Sequence, residues 1–152
     1  MAHAIARRCR RQHRFTSHLV LCHPVLDFVN AYREIVPSAF ENERVYFMCK
    51  FLAEVTLLET GALKFKPSLL ATCIVVYSQH ILIQQARWEP EFAQAAGFEW
   101  SELREGFYFI HDSHVRIRNA NQSLQVIPGR YSKSETYSVA LVLPPSTVAL
   151  SF

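Results

Sequence analysis

The stretch KFKPSLLATCIVVYSQHIL, residues 64–82, constrains this chain more than any other. It opens with two lysines and a proline, then is almost wholly apolar until Ser78-Gln79-His80. Proline fits the first turn of a helix but not its interior, so Pro67 marks a start. From there to Leu82 a helix spans about 24 Å at 1.5 Å per residue, whereas a bilayer core needs about 30 Å. The polar triplet arrives before that length is reached, and Gln84-Gln85 follow it. A membrane span is a poor fit, and a strand of that length would be unusual. A helix that is apolar nearly all round is a buried one. Leu69, Leu70, Cys73, Ile74, Val76, Tyr77 and Ile81 are therefore expected to pack against several neighbouring helices.

The flanking sequence supplies those neighbours. PVLDFVNAYREIV places Val25, Phe28, Val29, Tyr32 and Val36 at helical spacing, with Pro24 at its start and Pro37-Ser38 at its end. The next helix begins either at a Ser38-x-x-Glu41 capping box or at an Asn42 cap. It carries Val45, Met48, Phe51, Leu52, Val55 and Leu58 on one face, and Gly61 is expected to end it. PEFAQAA reads as a short fourth helix closed by Gly97. A fifth, roughly Glu99 to Ile117, repeats Trp100, Leu103, Phe107, Ile110, His114 and Ile117 at steps of three and four. Arg116 and Arg118 suit the negative end of its dipole. Beyond Asn119 the pattern fades into a polar stretch, then an apolar tail broken by Pro144-Pro145 that is expected to dock extended on the surface. Only four glycines occur in 152 residues, which favours helices over a turn-rich sandwich. The expected fold is all-α: a compact five-helix bundle around a buried third helix, with an extended C-terminal tail.

Charge divides the chain in two. Arg7, Arg8, Arg10, Arg11 and Arg14 precede the first acidic residue, Asp27. Taking those five from 16 basic residues leaves 11 against 13 acidic ones. The body thus lacks the footprint of a nucleic-acid binder. The expected division is a basic, disordered tail over residues 1–18 and a single helical domain over residues 19–150. The tail admits three readings: a solvated segment, a nuclear localisation signal, or a mitochondrial transit peptide.

No catalytic constellation emerges. The sequence has no Gly-rich phosphate loop and no G-x-S-x-G. His111 and His114 share a helix face, but zinc needs three or four ligands, so one partly buried and one exposed histidine are expected. Cys73 and His80 form a conceivable nucleophile pair, yet helical cysteines in apolar runs belong to cores. Cys9, Cys22, Cys49 and Cys73 show no CxxC spacing and no disulfide framework. Asn121-Gln122-Ser123 matches a glycosylation sequon without a secretory signal beside it. Glu54 and Glu59 look like a solvated face, and Phe47, Phe51, Tyr77, Phe107 and Phe109 like core. No cofactor and no metal are expected, and an interaction module fits better than an enzyme.

Four stretches together resemble a known family. CKFLAEVTLLE, FKPSLLATCIVVYS, WEPEFAQAAGFEWSELREGF and YSKSETYSVALVLPPS occur in an order and spacing similar to the C-terminal cyclin box of mitotic cyclins of the A and B types. The resemblance covers Pro24 to Ser146. It implies a five-helix unit whose structural core includes Phe51, Leu52, Val55, Leu58, Leu70, Cys73, Ile74, Tyr77, Leu103, Phe107 and Ile110. It also implies a regulatory subunit of a cyclin-dependent serine/threonine kinase in cell-cycle control, located in nucleus and cytoplasm, with the mitochondrion a lesser alternative. In that family a first box precedes this one and holds most kinase contacts. The segment before Pro24 does not resemble the end of such a box. The first box is thus expected to be absent here, and no kinase-contact residue carries over. An uncovered apolar surface and self-association are expected in consequence. A helical protein–protein adaptor in transcription, sharing the fold, is the alternative.

Overall fold

The computed structural model describes residues 24–83, 88–120 and 126–146. Residues 1–18 and the sequon at residues 121–123 lie outside them, so the readings placed there have no structural counterpart. The described residues form six α-helices joined by short 3-10 turns, with no strand among them.

Helix α1, Pro24–Ile35, starts on its proline and buries Val25, Val29 and Tyr32. Helix α2, Glu43–Thr56, settles the choice of cap: the Asn42 side chain accepts from the Arg44 N–H at 2.9 Å. It ends earlier than the sequence pattern predicts. Leu57 already turns back on Glu54, and Leu58 falls past the last helical turn. The helical period no longer aims Leu58 at the core, and it is 48% exposed. This corrects its place in the expected core; the other ten residues named for that core are buried. Gly61 is not the terminator either. It sits in a 3-10 turn, Thr60–Lys64, where a Cβ would come within 3.1 Å of the Phe109 ring.

Helix α3, Pro67–Ile83, passes through the centre of the bundle and packs against α1, α2 and α5. Every residue from Leu70 to Gln79 is buried. The three polar residues in that run, Thr72, Ser78 and Gln79, are satisfied internally. Ser78 accepts from the Cys49 thiol at 3.4 Å, and the Gln79 amide donates to the Ala39 carbonyl at 3.0 Å. Near the other end, Tyr32 shares a hydrogen bond with Thr72 at 3.1 Å and joins α1 to α3. No helix among the described residues is long and apolar enough to cross a membrane.

Helix α4, Pro90–Ala96, closes on Gly97, whose φ of 72° is the left-handed conformation that glycine adopts without strain. The predicted fifth helix is divided. A 3-10 turn, Trp100–Leu103, carries a Glu99–Glu102 capping box and feeds helix α5, Arg104–Arg118. α5 crosses α3 closely at Gly106: a Cβ there would lie 2.7 Å from Cys73 Sγ and 2.8 Å from Leu69 Cδ2.

The stretch after α5 departs from expectation. Helix α6, Val126–Tyr131, forms where the sequence pattern had faded, and 3-10 turns follow at Ser134–Thr136 and Val139–Leu141. Pro128 and Gly129 make a poor helix in isolation, so contacts with the bundle hold it. The tail is folded rather than extended as far as Leu141, with Val139 and Ala140 buried beside α2.

Candidate functional site

The residues weighed for chemistry fall into three places. The first is a buried cluster at the crossing of α3 and α5. Tyr77 Oη lies 3.1 Å from His114 Nδ1 and 3.4 Å from His111 Nδ1. Neither histidine is exposed: His114 is fully buried and His111 half-buried, which corrects the expectation of one exposed ring. Burial holds His114 in its neutral form, with its pKa lowered from 6.5 to about 4. The Val142 backbone, on the tail, acts in the opposite sense, and Arg118 and His111 act with burial. Burial also raises the Tyr77 hydroxyl above its usual range, with Asp112 adding to it. Among the described residues no group of three or more His, Cys, Asp and Glu is placed to hold a metal. The cluster ties helices together through rings and one shared hydroxyl.

The thiols are equally unreactive in character. Cys73 is buried, donates weakly to the Leu103 carbonyl at 3.5 Å, and is pushed up to about 12 by burial. Its neutral thiol is a poor nucleophile. His80, the partner considered for it, makes a T-shaped contact with the Phe107 ring, centroids 6.1 Å apart.

The second place is a carboxylate clasp on α2. Glu54 accepts from Tyr131 Oη at 2.7 Å and from Arg130 Nη1 at 2.8 Å. One short side chain thus anchors α6 from both of its last residues. The Tyr131 ring lies 5.6 Å from Phe51, so the anchor is apolar as well as polar. Glu59 pairs with Arg116 at 2.9 Å on α5. The solvated face expected of Glu54 and Glu59 is therefore corrected: both carboxylates bind neighbouring elements, and Glu59 lies past the end of α2. Sequence reading missed the clasp because its partners stand 76 and 77 residues apart.

The third place is an open groove of about 400 Å³ between the start of α1, the end of α2 and the start of α3. Pro24, Val25 and Phe65 help to line it, together with Leu57 at 61%, Leu58 at 48% and Leu63 at 88% exposed. An early helix end is what brings the two adjacent leucines to the surface.

The sequence has relatives among known proteins. Residues 25–145 match the family described as cyclin, C-terminal domain. The chain belongs to the cyclin family. Cyclin-A3-1 of Oryza sativa subsp. japonica is 30% identical over 126 residues, covering 79% of this chain and 33% of that protein. G2/mitotic-specific cyclin C13-1 of Daucus carota is 26% identical over 64% of this chain and 28% of its own length. Cyclin-A2 of Bos taurus is 26% identical over 70% of this chain and 24% of its own. The chain thus spans a third or less of the length of these cyclins. The all-α architecture agrees with the C-terminal cyclin box inferred from the sequence. Within that cyclin unit, the YSKSETYSVALVLPPS stretch begins with the clasp tyrosine and includes the Val139–Leu141 turn that packs on α2.

Proposed function

We propose that this chain supplies the second, supporting box of a cyclin that regulates a cyclin-dependent serine/threonine kinase in cell-cycle control. The observation that carries the proposal is the match of residues 25–145 to the cyclin C-terminal domain, in a chain whose match spans a third or less of the length of the cyclins it resembles. Supporting it, the polar clusters among the described residues bind helices to one another. The regulatory effect would be differential binding: a cyclin stabilises the active arrangement of the kinase and shifts its population toward that state. The second box would act mainly by supporting the first. The acidic balance of the body speaks against a DNA-contacting adaptor with the same fold. Location in nucleus and cytoplasm belongs to the same proposal.

The test is affinity for a purified cyclin-dependent kinase, measured with and without a supplied first cyclin box. Weak or absent binding by this chain alone is expected, with binding and kinase activation restored when both boxes are present. Tight, activating binding by the chain alone would overturn the supporting role, and no gain on adding a first box would overturn the kinase reading.

A further inference from the structure

The groove at the start of α1 lies where the preceding sequence enters the domain. Leu57, Leu58 and Leu63 stand exposed around it, an apolar concentration that water disfavours. Pro24, the first described residue, is itself part of the lining. Immediately before it runs Leu19-Val20-Leu21-Cys22-His23, four consecutive apolar residues and a histidine. Chain connectivity fixes the Cα of residue 23 about 3.8 Å from that of Pro24. A proline also disfavours helical backbone in the residue before it. Residues 19–22 are thus tethered within a few residues of Pro24, which lines the groove.

We propose that residues 19–22 of this same chain dock in the groove and cover Leu57, Leu58 and Leu63. Three features carry this: the occupant is apolar, it is tethered to the groove's wall, and the groove of about 400 Å³ accepts several aliphatic side chains. Tethering makes the contact intramolecular, so a modest apolar gain suffices to keep the groove filled against free competitors. The docking is independent of any kinase partner.

The chain carries its own reporter in Cys22. Cys49 and Cys73 are buried with thiols pushed up to about 12, so they stay silent under mild oxidation. In a Cys9→Ser background, Leu63→Cys introduces a thiol at the groove, at a site 88% exposed and tolerant of change. Leu143→Cys introduces one beside His80 and Ile81. That control lies about 20 Å along α3 from Pro67, at 1.5 Å per residue. Mild oxidation of the full chain is followed by mass spectrometry of the monomer. The expected result is a Cys22 cross-link within one molecule, forming about tenfold faster with Leu63→Cys than with Leu143→Cys, a ratio that corresponds to a 1.4 kcal/mol preference. Adding Leu19→Asp and Leu21→Asp should remove the difference. Equal rates at the two positions, or no cross-link at either, would overturn the proposal. So would cross-links between molecules, which would make a second copy the occupant.

Discussion

Helix α3 and the segment from α6 to Leu141 are both essential to the bundle, but they are held in opposite ways. α3 is buried along ten successive residues and meets helices on several sides. Its position is set by area, and no one neighbour decides it. The segment from α6 to Leu141 buries only Pro128, Tyr131, Val139 and Ala140 and is fixed at points: Tyr131 and Arg130 on Glu54, Val139 and Ala140 against α2. Distributed burial leaves a mark in the local sequence. Point attachment to a distant residue leaves none.

The largest test of that contrast is Ile74→Ala. Ile74 is fully buried in α3, and removing its side chain should cost about 2–5 kcal/mol. Urea unfolding followed by circular dichroism should show one cooperative transition at a lower midpoint, because the whole bundle shares the loss. A selective loss of α6 alone would break the comparison.

A pH titration of stability probes the place where tail and core meet. His114 in the folded protein binds its proton only near pH 4, against 6.5 when unfolded. Between those values the unfolded chain holds more protons, so stability falls as pH drops from about 6.5 toward 4. Complete expression of the shift corresponds to about 3 kcal/mol, at 1.36 kcal/mol per pKa unit. His114→Gln should flatten that part of the profile, and an unchanged slope in the variant would assign the pH dependence to other groups.

The smallest effect is expected at the clasp. Glu54→Gln keeps the shape but weakens a charge-assisted pair and a phenol hydrogen bond, at a cost of about 1.5–3 kcal/mol. Because Glu54 is partly exposed, the lower end applies. Hydrogen exchange should accelerate in α6 and the Val139–Leu141 turn while α3 remains protected. Equal acceleration in α3 would show that the two regions unfold as one unit.

The same distinction explains what could be read from the sequence. The starts of α1, α3 and α4 announce themselves through Pro24, Pro67 and Pro90, and Gly97 through its left-handed turn. The buried character of α3 follows from its almost wholly apolar run. The end of α2 was not legible, since Leu57 and Leu58 continue the apolar pattern of the helix although the backbone has already turned. Helix α6 was hidden by Pro128 and Gly129, residues that argue against a helix until its Glu54 anchor is known. The groove was invisible for the first of these reasons: it exists because α2 stops early.

Gly106 has a bearing on how the bundle finds its arrangement. With less than 3 Å between a hypothetical Cβ and both Cys73 Sγ and Leu69 Cδ2, the crossing of α5 over α3 admits glycine and resists anything larger. Sliding α5 by one turn in either direction would bring Glu102, Leu103, Phe109 or Ile110 to that point. Each carries a side chain that the crossing has no room for. The absent methyl group therefore works as an index mark, selecting one axial setting of α5 from the several that its apolar stripe alone would accept.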